Sequence, residues 1–329
     1  MIDTNQLEKW YKNNKRELPF RKTSNPYYIW VSEIMLQQTQ VETVIPYFNH
    51  FIKVYPTVNS LANTNEDTLL SHVQGLGYYR RFKNMLKAAK TICNDFNGGF
   101  PTSYKDLIHL SGIGEYTAGA IMSIAYHKPF AATDGNVIRV ISRVYNINED
   151  MRLEKNKKLV KKINQDLIED SNPSVFTQAL MELGALICRP KNPKCEICPL
   201  LENCIAYSLN LQNTLPKLSR KKDKKVMHYH VFIIEEDDCI YLRKRTEKLL
   251  GGMYEFPQYD LGHELEFTYN IVEEIGNFKH IFTHLIWEMK VTKIDLKSKS
   301  LEDWVKVDKQ DLENYPMAKA HRKFVKHLG

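Results

Sequence analysis

Four of the chain's six cysteines fall between residues 188 and 204, in CRPKNPKCEICPLLENC. The C-x6-C-x2-C-x5-C spacing puts four thiols on one short segment, which must wrap around a shared centre rather than run on as a helix or strand. In a reducing compartment such a group is a metal site sooner than a disulfide frame. Zinc usually takes two C-x2-4-C knuckles, and only one C-x2-C is present. A [4Fe–4S] cluster also takes four thiolates and accepts wider spacing. Thiolate chemistry therefore favours iron–sulfur and leaves zinc open. Cys93 and Cys239 stand alone and read as buried or incidental.

A second constraint is the turn LSGIGEYTAGA at 110–120. From Gly114 it has the two glycines of a triphosphate-binding loop, but Ala120 stands where that loop needs its lysine. The segment reads instead as helix, Gly-x-Gly hairpin, helix. Gly112 and Gly114 let a backbone approach closely, and free N–H groups at the second helix suit phosphate. A nucleic-acid backbone is the better ligand, and a plain turn between two helices is the alternative.

The chain of 329 residues allows two domains at roughly 150 each. Net charge is +7, which leans towards a polyanionic partner. The charged N-terminus is no signal peptide, and no apolar run approaches the ~18 residues of a membrane helix. A soluble, cytoplasmic protein is expected. Apolar residues recur at three- and four-residue intervals in YIWVSEIMLQQTQVETVIPYF, TLLSHVQGLGYYRRFKNMLKAAKTIC and DGNVIRVISRVYNI, so residues 1–208 are predicted all-α. A linker is predicted at 209–227. Between Lys217 and Lys225 it holds six basic residues against one acidic, a composition that stays solvated or lies along a phosphate backbone. Residues 228–329 read as α+β: a hairpin from HYHVFII through EEDD to CIYLRKR, further strands in HIFTHLIWEMKVTKIDL, and short helices at LEFTYNIVEEIG and MAKAHRKFVKHL.

LSGIGEYTAG resembles the helix-hairpin-helix of the endonuclease III superfamily of base-excision glycosylases. The cysteine spacing is similar to that family's iron–sulfur loop, and DGNVIRVISR to its aspartate segment. WVSEIMLQQTQVETVIPYF resembles one branch, the MutY adenine DNA glycosylases, and the motifs run in order along almost the entire chain. The resemblance implies an all-α helix-hairpin-helix domain (hairpin about 107–125) with a [4Fe–4S] cluster on Cys188, Cys195, Cys198 and Cys204, then an α+β Nudix-like domain. It implies a monomer acting on double-stranded DNA, removing adenine opposite 8-oxoguanine or guanine.

Breaking an N-glycosidic bond through an oxocarbenium-like sugar asks for an acid to protonate the base and an anion to face the cation. Glu33 has Ile29, Trp30, Leu36 and Gln37 as helical neighbours, so desolvation should favour its acid form. A rim glutamate is the alternative, and the resemblance assigns it the catalytic acid. Asp134 precedes an apolar helix, where capping is the simple reading. The resemblance makes it the sugar-facing carboxylate, oriented by Asn136. Tyr116 stands where lyase-competent relatives carry a Schiff-base lysine, and a phenol forms no imine, so base removal should stop without strand cleavage. Gln38 and Tyr78 align with residues inserted beside the partner base. Arg21 is expected at the base or a phosphate, and Gln178 at the adenine pocket. Phe20 replaces the usual tryptophan and loses an indole donor.

In the second domain GGMYEFP and VEEIG resemble a Nudix hydrolase. Counting back from Glu273 and Glu274, however, Glu255, Leu261, Tyr269 and Asn270 occupy the box positions that need Gly, Glu, Arg and Glu. Too few carboxylates remain to hold a metal. MutY relatives use this domain to recognise 8-oxoguanine through an F-S-H loop. Here it is Phe282, Thr283 and His284, with a threonine methyl added. The competing readings are a bifunctional enzyme acting on oxidised pyrimidines, a DNA-binding module with structural zinc, and a Nudix hydrolase with a helical appendage.

Overall fold

The computed structural model describes residues 2–220, 223–265, 267–297 and 304–329. Lys221 and Lys222 of the basic run, and Glu266, lie outside them. The chain divides into two compact units, residues up to 62 with 84–220, and residues 63–83 with those from 221 onward. Residues 63–83 thus group with the strands, although they fall within the expected helical stretch.

The helices are α1 Thr4–Asn14, α2 Pro26–Leu36, α3 Val41–Val54, α4 Val58–Ala62, α5 Glu66–His72, α6 Arg80–Asp95, α7 Tyr104–His109, α8 Glu115–Ala120, α9 Gly135–Val144, α10 Glu154–Glu169, α11 Pro173–Leu186 and α12 Ile205–Ser208. Of these, α5 belongs to the second unit. Pro26 opens α2, and the Asn25 side chain accepts from the Tyr27 N–H, which sets the start of the helix. Ile29 to Met35 are all buried, so α2 is apolar around its circumference and runs through the core. Any polar residue on it is carried inside. Against α11 pack α1 and α9, through Leu7, Tyr11, Val137, Ile141, Phe176 and Leu183.

The second unit carries a mixed sheet of β1 Lys225–Glu236, β2 Cys239–Lys244, β3 Tyr254–Glu255, β4 Gln258–Asp260, β5 Tyr269–Ile281, β6 Leu285–Leu296 and β7 Trp304–Asp308. The strand order is β3-β2-β1-β6-β5, with β4 on β1 and β7 on β2. β1 and β6 run parallel. The expected β1–β2 hairpin is present, with Glu236 opposite Cys239. A short α13, Lys319–Arg322, and a turn of 3-10 helix at Val325–His327 fall in the predicted C-terminal helix.

One expectation fails. The described residues of LEFTYNIVEEIG hold no helix: from Tyr269 the segment forms β5, antiparallel to β6. Ile271 and Val272 are exposed, so their spacing did not report a buried helical face. β6 offers backbone partners along the whole segment, and β-branched residues fit that ladder. Two bulges, one before Gly276 at φ +130°, take up the irregular register.

Candidate active site

α2 delivers Glu33 into the interior, where 1% of the residue is exposed. A buried carboxyl requires partners, and both its oxygens have one. Arg21 Nη2 donates to Oε1 at 2.6 Å, and the Tyr116 hydroxyl donates to Oε2 at 2.6 Å. Arg21 therefore turns onto the carboxyl, not towards an exposed phosphate. Its Nη1 is buried with no hydrogen-bond partner. Burial first, then the nearby Glu33 and Asp134, push the Tyr116 phenol well above its ordinary value, so it keeps its proton.

Asp134 caps α9, accepting from the Val137 N–H at 2.7 Å on Oδ1 and from Asn136 Nδ2 at 2.8 Å on Oδ2. Asn136 Oδ1 in turn accepts from Arg139 Nη2 at 2.7 Å, and Arg139 Nε donates to the Cys188 carbonyl at 2.7 Å. Desolvation raises the Asp134 carboxyl above the ordinary aspartate range, opposed by the hydrogen bonds from Val137 and Asn136.

These groups border one cavity of about 540 Å³. It gathers Glu33, Tyr116, Asp134, Asn136, Arg21, Gln178 and Gln38 from three separate stretches of the chain. Phe20 lines it too, edge-on to Phe48 with ring centroids 5.5 Å apart. Among the described residues lining it there is no lysine. Sequence reasoning missed Tyr11, Arg16 and Glu182. Arg16 makes a two-pronged ion pair with Glu182, Nε to Oε1 and Nη2 to Oε2, each 2.8 Å. Tyr11 bonds to Gln178. The signal available was the spacing of Leu7 and Tyr11 on one face of α1, which reads equally as packing.

The hairpin turn lies outside the cavity lining. Gly112 has φ +79°, and a Cβ there would stand 2.7 Å from Asn84 Cβ, so both backbone angle and space require glycine. Gly114 is the N-cap of α8. The four cysteines line a cavity of their own, where Arg143 Nη1 donates to Cys188 Sγ at 3.2 Å. Among the described residues, no three or more His, Cys, Asp or Glu side chains converge as a single-ion site.

In the second unit, Phe282, Thr283 and His284 form the turn between β5 and β6, and Phe282 N–H donates to the Leu285 carbonyl. Phe282 stacks edge-on to Trp287, and Lys224 Nζ donates to its carbonyl at 2.6 Å. Tyr78, held at φ +49°, shares a short hydrogen bond with Thr283. No helix stands among the described residues between Glu255 and Ile281, so the Nudix-like segment lacks the element on which a metal-binding box would sit.

A helix-hairpin-helix whose Tyr116 bonds to a buried carboxyl beside a polar cavity points to a class, the HhH-GPD superfamily of base excision DNA repair proteins. That family's profile matches residues 31–169, and a NUDIX domain profile matches 230–327. The chain is 39% identical over 293 residues to the adenine DNA glycosylase of Buchnera aphidicola subsp. Baizongia pistaciae, covering 84% of this chain and 81% of that one. It belongs to the adenine DNA glycosylase, or MutY, family. Among solved structures, a thermostable thymine-DNA glycosylase superposes with a TM-score of 0.58 at 28% identity, over 63% of this chain and 95% of that one. A non-covalent endonuclease III–DNA complex gives 0.53 at 20% identity, over 64% and 100%, and shares the fold.

Proposed function

We propose that the chain is a monofunctional adenine DNA glycosylase, which acts as a monomer and removes adenine opposite 8-oxoguanine or guanine in double-stranded DNA. One observation carries this reading. The Tyr116 phenol sits directly on the Glu33 carboxyl, at a cavity that Asp134 also borders.

The adenine must leave the stack to enter such a cavity. The acid form of Glu33 gives its proton to the base, and Arg21, bonded to the same carboxyl, holds it in place. As the bond lengthens, positive charge grows on the sugar, and Asp134 faces it, held in place by Asn136. Tyr116 adds the dipole of a phenol that stays protonated. With a phenol at 116 and no lysine among the described residues lining the cavity, the sugar would form no Schiff base, and water completes the hydrolysis. Gly112 and Gly114 shape the turn that takes a DNA phosphate, Gln38 at the cavity rim fills the space left by the base, and Tyr78 with Thr283 meets the opposite base, aided by Phe282 and His284.

Cys188, Cys195, Cys198 and Cys204 would hold a [4Fe–4S] cluster. The donor set supports one: the four thiols line a shared cavity, and each iron of a cubane takes a separate thiolate, so the sulfurs need not converge on a point as they do around zinc. When bound, the group would clamp the segment these four residues span.

The test is a glycosylase assay on duplexes pairing adenine with 8-oxoguanine, guanine or thymine. Excision is expected for the first two pairs, with strand cleavage only after alkali. Glu33→Gln should abolish turnover and keep duplex binding. An active Glu33→Gln enzyme, or cleavage without alkali, refutes the assignment.

A further inference from the structure

Gln178 faces the cavity from α11, and its amide is held at both ends. Nε2 donates to the Ser174 carbonyl at 3.1 Å and to Ser174 Oγ at 3.2 Å, one turn earlier. Ser174 Oγ donates onward to the Ile124 carbonyl at 3.3 Å. Oε1 accepts from the Tyr11 hydroxyl at 3.1 Å. Both amide hydrogens are therefore taken inside the protein, while Oε1 keeps a second lone pair. What Gln178 offers the cavity is an acceptor.

Tyr11 reaches this point from α1, and it is 7% exposed. Burial raises its phenol above the ordinary value, so it remains a donor. An amide whose oxygen lost that partner would be held only through its nitrogen and could turn, offering N–H where it now offers C=O.

We infer that Tyr11 is a positioning residue: its hydroxyl fixes Gln178 as an acceptor-only group, and the cavity thereby selects a 6-amino purine over a 6-oxo purine. The inference rests on the adenine-excision reading above. Adenine presents an N6 amino donor to Gln178 Oε1. Hypoxanthine presents an O6 acceptor, which would face a second acceptor and stay unpaired, and that mismatch is the costly kind.

The experiment measures single-turnover excision of adenine and of hypoxanthine, each opposite 8-oxoguanine, by the full chain. The variants are Tyr11→Phe, Gln178→Glu and the pair combined. Tyr11→Phe should lower the adenine-to-hypoxanthine rate ratio about five- to tenfold, the weight of one neutral hydrogen bond. Gln178→Glu presents an oxygen whichever way it turns, so it should keep a high ratio, and adding Tyr11→Phe should leave that ratio alone. A residue needed only for packing would slow both bases alike, so an unchanged ratio in Tyr11→Phe overturns the inference. So does an equal fall of the ratio in both backgrounds. Ratios are independent of the folded fraction, and wild-type protein that releases no adenine refutes the functional reading instead.

Discussion

Asp134 caps its helix and borders the cavity with one carboxylate. Capping fixes where the carboxylate points, and burial sets when it is charged. Its native acidity is weakened, desolvation being the largest cause, so the folded site takes up a proton at higher pH than a free aspartate does. A raised folded value means that stability falls as pH rises through it, so keeping this carboxylate ionised at neutral pH costs the fold. In the proposed reaction activity has the opposite sign: the anion assigned to the sugar cation is lost as pH falls through the raised value. Asn136 favours the charged form by donating to Oδ2. Asn136→Ala should therefore move the acid limb of the single-turnover rate to higher pH. A slower enzyme with an unmoved limb would give Asn136 a steric role only.

At the scale of elements, the cysteine segment shows what a metal would contribute to the fold. Burial pushes the Cys198 thiol up to about 12, and Cys195 and Cys204 are raised by the same cause. Thiolates are costly here without a cation, so binding the group releases protons and couples to folding of the segment. Arg143, 2% exposed, ties the segment down through the Arg189 and Pro190 carbonyls and reaches the Leu215 carbonyl. Protein isolated intact should carry about four irons per chain with visible thiolate-to-iron absorbance. Cys198→Ala should lose both. One zinc per chain and no colour would refute the cluster.

At the scale of whole units, the strand-bearing unit holds an ion cluster around Glu255. Glu255, where the box needs glycine, is 1% exposed and bonded to Arg243 at 2.7 Å and Arg245 at 2.5 Å. His321 lies fully buried, 2.9 Å from Gln258 Oε1 and 3.4 Å from Glu255 Oε2. Desolvation first, then Arg245 and Lys323, hold its imidazole well below the ordinary value of 6.5. The unfolded chain thus binds a proton there that the folded unit refuses, and stability is lost as pH drops below 6.5. His321→Gln, which keeps a donor for Gln258, should flatten the fall in melting temperature between about pH 6.5 and 5. An unchanged slope would place the acid sensitivity elsewhere.

Much of this was legible in residue order because the chemistry is local. Four cysteines on one segment, a glycine pair between helices, and an aspartate before an apolar helix each work through near neighbours; the hairpin and the cap read correctly, and the cysteines line one cavity. Glu33 was legible as a buried carboxyl for the same reason, since its helical neighbours are apolar. The β5 strand was misread because pairing with β6 outweighs local periodicity, and nothing in residues 265–276 records that partner. The turn of Arg21 onto Glu33, the acceptor face of Gln178 and the pairing of Tyr78 with Thr283 came only with the tertiary structure. Each joins groups distant in sequence, and hydrogen bonds of that kind leave no period in a chain.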